Sequence, residues 1–150
     1  MVAQELAGVH IDAIYRSPLT RCEQTLTPLM SQRSMEVHID ERLREIDYPA
    51  KQGVVIDKSL FRWEGGPVDG EHGESVQQCY NRVATFLHEV LERHAGETVL
   101  ICSHGDPIAL MRKLMRGYDY DTQLHRWYVG NSDSNKAPLV TEYVWSETGK

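Results

Sequence analysis

Two stretches decide the fold: Ile11-Asp12-Ala13-Ile14-Tyr15-Arg16-Ser17-Pro18-Leu19-Thr20-Arg21 and Thr98-Val99-Leu100-Ile101-Cys102-Ser103-His104-Gly105-Asp106-Pro107. Each is a short apolar run that ends at a polar turn and then opens a helix. Ser17 can accept a hydrogen bond from a free helix N–H, and Pro18 suits a first helical position. Strand, polar turn and helix, twice over, read as an α/β fold with a largely parallel sheet. In open α/β sheets ligands collect at the carboxyl ends of the strands. The helix N-termini there present unpaired N–H groups and a positive dipole end to an anion. A phosphate held at both turns would meet Arg21, His104 and several backbone donors together.

Outward from these stretches, residues 1–8 look like the end of a helix, closed by Gly8. Pro28 is expected to kink or shorten the helix that begins at Ser17-Pro18. Glu36 to Ile39 reads as a further strand, and Asp40 to Glu74 as loop, broken by Gly65-Gly66-Pro67 and Gly70. Val76, Tyr80, Val83, Leu87, Val90 and Leu91 fall at helical spacing, with Ser75 as cap and Gly96 as stop. Thr98 to Ser103 reads as a buried strand, and a helix runs from Asp106-Pro107 through Met115. Trp127 to Gly130 and Leu139 to Trp145 look like strands, joined by a polar turn at Asn131 to Lys136.

The 150 residues, with 41% hydrophobic and 25% charged, suit one globular domain over 1–150 and argue against disorder. A net charge of −6 argues against a nucleic-acid partner, so an anionic ligand needs a locally basic pocket. No run approaches the ~18 apolar residues of a membrane span. The first residues lack the basic and apolar regions of a signal peptide. Cys22, Cys79 and Cys102 have no paired spacing, which fits a reducing, cytoplasmic setting. None is followed by the arginine-capped loop of a thiol phosphatase. The seven histidines show no zinc-like ligand spacing, so neither metal nor cofactor is implied.

Taken in order, these motifs resemble the histidine phosphatase superfamily, the phosphoglycerate-mutase-like proteins. Ile14 to Arg21, with Gln24-Thr25, is similar to that family's second signature. Leu43-Arg44-Glu45 resembles the segment supplying its acid, and Trp63-Glu64-Gly65 and Gly73-Glu74-Ser75 resemble the family segments downstream of that acid. Val99 to Gly105 is similar to the strand and loop presenting the second core histidine. The likeness runs from about Ala3 to Leu114 and loosens after Gly117.

The resemblance implies a three-layer fold, a mostly parallel mixed sheet with helices on both faces. It implies a phosphomonoester hydrolase or a mutase working through a phosphohistidine, acting on a small phosphorylated metabolite or a phosphoprotein. Arg21, Ser17, His104 and Gly105 would bind the phosphoryl group. His104 would also stabilise developing charge, and Glu45 would protonate the leaving alkoxide. The segment from Asp40 to Glu74, with Tyr48, Phe61, Arg62 and Trp63, would set the substrate.

One departure bears on activity. Family members carry Arg-His-Gly on a first central strand, and that histidine becomes phosphorylated; the sequence contains no Arg-His-Gly. His10 precedes a strand rather than following one and is a poor substitute. The expectation is therefore an incomplete N-terminus, short of the first central strand by about 20–30 residues. Three readings stay open: an inactive form of the enzyme, a binder of phosphorylated ligands, or a gene fragment without function.

Overall fold

The computed structural model describes residues 2–47, 73–115, 118–121 and 126–129. In chain order it contains α1 (Val2–Glu5), β1 (Ala13–Arg16), α2 (Thr20–Met30), β2 (Val37–Ile39), α3 (Val76–Arg93), β3 (Val99–Cys102) and α4 (Gly105–Met115). An antiparallel pair completes the order, β4 (Tyr118–Asp121) and β5 (Arg126–Val129). A single 3₁₀ turn, Glu41–Leu43, lies just after β2.

The first three strands form one parallel sheet in the order β2-β1-β3. Strand periodicity sorts its side chains into two cores. Ala13 and Tyr15 face one way, with Val99 and Ile101, and meet Cys79, Val83, Phe86, Leu87 and Val90 of α3 and Leu110 and Met111 of α4. Ile14 faces the other way, with Leu100 and Cys102, and meets Leu26 and Leu29 of α2 and Ala3 of α1. Helices therefore cover both faces, giving three layers, and the fold is α/β as the sequence implies. Each large side chain that the cores bury is worth about 1.5–3 kcal/mol. Phe86 is fully buried, with its ring edge-on to Tyr15 at 5.5 Å and the Arg42 guanidinium above it at 5.4 Å.

This winding positions the site. The chain leaves β1 for α2 on one face, and leaves β3 for α4 on the other. Neighbouring strands whose exits diverge leave a crevice between their carboxyl ends. Ser17 closes that end of the pair, its N–H donating to the Cys102 carbonyl at 2.9 Å.

Several elements differ from the sequence expectation. The helix after β1 starts at Thr20, not at Ser17-Pro18, because the Ser17 side chain is engaged elsewhere. Pro28 sits in the last turn of α2, which runs on to Met30. Leu91 is 39% exposed, since the buried stripe of α3 centres on Cys79, Val83, Phe86 and Val90 and leaves Leu91 on its flank. β3 is half-buried rather than buried; among the described residues it pairs only with β1. β4 has no counterpart in the sequence reading. The readings on residues 48–72 and 130–150 lie outside the described residues. Among those that are described, no helix is long and apolar enough to cross a membrane.

Candidate active site

His104 comes directly after β3 and is 2% exposed. Both ring nitrogens are engaged. Arg21, in the first turn of α2, donates from Nε to His104 Nδ1 at 2.9 Å. That leaves the ring proton to Nε2, which lies 2.8 Å from Ser17 Oγ and donates to it. Ser17, fully buried, also accepts from the Leu19 N–H at 3.3 Å. Three of the four sequence-derived phosphate-site residues therefore meet in one bonded chain, although 83 positions separate Arg21 from His104. The fourth, Gly105, opens α4 beside them, and among the described residues beyond its own chain neighbours and helix backbone no atom comes within 4 Å of a Cβ added there.

The chemistry of this chain suits an anion. Arg21 spends Nε on the imidazole, so its guanidinium plane is held while both terminal nitrogens remain to donate. Neither makes a hydrogen bond or ion pair among the described residues. First-turn N–H groups of α2 and α4 add donors.

Glu45 belongs to a segment pinned to the same crevice. Ser103 Oγ donates to the Leu43 carbonyl at 2.7 Å, and Leu43 is fully buried. Two residues on, Glu45 is half-buried and accepts from the Ile46 N–H at 2.9 Å. Among the described residues Glu45 and Arg21 form no ion pair, so the guanidinium does not hold this carboxylate. The Glu74 N–H donates to the Asp47 carbonyl at 2.9 Å, returning the chain to Glu45 after residues 48–72. Glu74 is itself held by Arg82.

Two contributors lie beyond the sequence reading. In the sequence Ser103 is only part of a motif, yet its hydroxyl fastens the Glu45 segment. Cys22 reads there as a sign of reducing conditions, yet its Sγ lies 3.6 Å from His104 Nε2. Its position directly after Arg21, on a helix facing β3, is the available signal. His10 pairs with Asp12 at 2.8 Å on the surface and takes no part in the crevice. The described residues include no group of three or more side chains able to hold a metal ion.

A buried histidine bonded to an arginine and a serine lies at the carboxyl ends of two neighbouring parallel strands of an α/β protein. Comparison with known proteins carries this further. The model of the histidine phosphatase superfamily, branch 1, matches residues 1–136, and the chain belongs to that family. Over 128 residues it is 35% identical to phosphoserine phosphatase 1 of Hydrogenobacter thermophilus, spanning 79% of this chain and 61% of the relative. It is 30% identical over 115 residues to the 2,3-bisphosphoglycerate-dependent phosphoglycerate mutase of Sinorhizobium fredii, 67% of this chain and 54% of that one. Among solved structures, the alpha-ribazole phosphatase from Shigella flexneri superposes with a TM-score of 0.65 at 22% identity, covering 86% of this chain and 68% of the other. The chain thus spans about three-fifths of the length of the phosphoserine phosphatase it matches.

Proposed function

We propose that the crevice between β1 and β3 binds the phosphoryl group of a small phosphate monoester. The reaction class is phosphoryl transfer through a phosphohistidine, to water as in a phosphatase or to a second hydroxyl as in a mutase. The observation that carries the reading is the 2.9 Å bond from Arg21 Nε to His104 Nδ1. It orients a cation whose remaining donors form a fork suited to two phosphoryl oxygens. The Gly105 N–H and its neighbours at the start of α4 complete the cradle, His104 holds the guanidinium in place, and Ser17 fixes the imidazole. Glu45 is the acid that protonates the leaving oxygen, a role that suits a half-buried carboxylate that forms no ion pair with Arg21 among the described residues.

The relatives' names favour a small substrate over a phosphoprotein. They divide between a phosphatase and a mutase, so the acceptor stays undivided here too. The sequence contains no Arg-His-Gly to serve as nucleophile. On its own, then, this chain binds phosphate-like anions without turning esters over. Calorimetric titration with orthovanadate tests the reading. Arg21→Ala should weaken binding by about 10–100-fold, the worth of a charge-assisted hydrogen bond to an anion. Equal affinity in both proteins would refute the site.

A further inference from the structure

Beneath the anion crevice lie two thiols that this function leaves unused. Cys102, the last residue of β3, projects onto the α2 face of the sheet, and its Sγ donates to the Cys22 carbonyl at 3.8 Å. The Cys22 thiol in turn lies 3.6 Å from the Ser103 carbonyl and 3.6 Å from His104 Nε2. Each cysteine is one or two residues from the crevice: Cys22 comes after Arg21, and Cys102 precedes Ser103-His104.

Resting on the function proposed above, we propose that Cys22 and Cys102 form a reversible disulfide on exposure to a hydroperoxide, and that this disulfide closes the anion site. The Cys22 sulfur attacks the peroxide oxygen, the O–O bond breaks, and the leaving oxygen departs as water or alcohol with the thiol's proton. The resulting sulfenic acid is attacked by the Cys102 sulfur, and its hydroxyl leaves as water with the second proton. Two electrons pass from the sulfurs to the peroxide, and a thiol reductant reverses the change.

The surroundings support this chemistry. Contact with Cys102, then contact with His104 and the nearby Arg21 charge, draws the Cys22 thiol well below its ordinary range, although burial opposes it. Cys22 is 3% exposed but Cys102 is half-buried, so the pair has a side open to a small oxidant. Cys79 is the internal contrast. It is fully buried in the other core, where burial pushes its thiol up to about 12. A disulfide needs its sulfurs about 2 Å apart and at a fixed dihedral. Meeting that requirement draws the Cys22 sulfur off His104 and pulls the first turn of α2, with Arg21, toward β3. The Arg21–His104 alignment does not survive that movement.

The test uses the whole chain, reduced and then treated with hydrogen peroxide. Peptide mass mapping and counts of its three thiols are read beside orthovanadate titration. The expected result is a Cys22–Cys102 disulfide, one remaining thiol, and an affinity about tenfold or more weaker, restored by dithiothreitol. Cys102→Ser, or Cys102→Ala should the serine variant misfold, should keep its affinity after the same treatment. Three intact thiols, a disulfide involving Cys79, or a Cys22–Cys102 disulfide with unchanged affinity would each overturn the switch. Failure of the reduced wild-type chain to bind vanadate would instead overturn the functional reading beneath it.

Discussion

His104 and His94 are both held through both ring nitrogens, at opposite ends of β3, and their partners differ in charge. His94 ends α3, with Nδ1 2.6 Å from Glu97 and Nε2 2.9 Å from the Tyr15 hydroxyl. Arg93 also reaches that hydroxyl, at 3.5 Å. A carboxylate on the ring makes this cluster hostile to an anion, and its groups satisfy one another; it staples α3 to β1. His104 has a guanidinium where His94 has a carboxylate. The same ring, bonded at both nitrogens, is a brace beside Glu97 and the anchor of a guanidinium beside Arg21. The charge of the partner, a carboxylate against a guanidinium, separates the two settings, and His94 is also the more exposed ring.

The largest effect to expect concerns turnover, and it asks whether the cradle end is complete. The 150-residue chain should hydrolyse p-nitrophenyl phosphate at background rate, because acid and anion binders alone form no covalent intermediate. Trapped phosphohistidine together with robust turnover would show that a histidine of this chain serves as nucleophile. A chain extended at its front by a strand bearing Arg-His-Gly should gain the activity. In that extended chain Glu45→Gln should slow esters with poor leaving groups by about 10²–10⁴-fold in single-turnover assays, the usual share of general acid catalysis. p-Nitrophenyl phosphate, whose leaving group barely needs a proton, should suffer far less. Equal loss on both esters, or none, would remove Glu45 as the acid and bring Asp106 forward.

A smaller effect sharpens the contrast between the two histidines. His94→Gln should leave orthovanadate affinity within about twofold while lowering denaturant stability by about 1–2 kcal/mol, the cost of leaving hydrogen-bonding groups unpaired. A large loss of vanadate affinity would mean that the two ends of β3 are coupled, and the division of labour would fail.

The meeting of Ser17, Arg21 and His104 is legible in the sequence because its parts are local. A strand that ends at Arg16-Ser17 and another that ends at Ser103-His104 announce themselves by apolar runs that stop at polar residues. Their parallel pairing then brings the two turns together. The brace is not legible. Tyr15 and His94 lie 79 residues apart, and nothing in either local pattern marks the other. Ser17 shows the limit from the other side. Its position suggests the cap of a helix, yet α2 starts at Thr20 with Leu19 as its cap, and the Ser17 oxygen serves the Leu19 N–H and His104 instead.

That competition leads to the smallest effect, which compares two helix starts. Among the described residues Ser75 has no rival claim, and it caps α3 fully: its Oγ accepts from the Gln78 N–H at 3.1 Å, and the Gln78 side chain accepts from the Ser75 N–H at 2.8 Å. The cap residue of α2 is Leu19, which offers no side-chain bond at all. Ser75→Ala should therefore cost about 1 kcal/mol of stability in denaturant melts and leave vanadate affinity unchanged. Ser17→Ala should show the opposite emphasis. The helix keeps its leucine cap, but His104 loses the acceptor that fixes its ring, so anion affinity should fall further than stability does. Suppose instead that Ser17→Ala destabilised the fold as a lost cap would and left vanadate binding intact. Then Ser17 would be serving the α2 helix start, and the carboxyl end of β1 would be organised for folding rather than for its ligand.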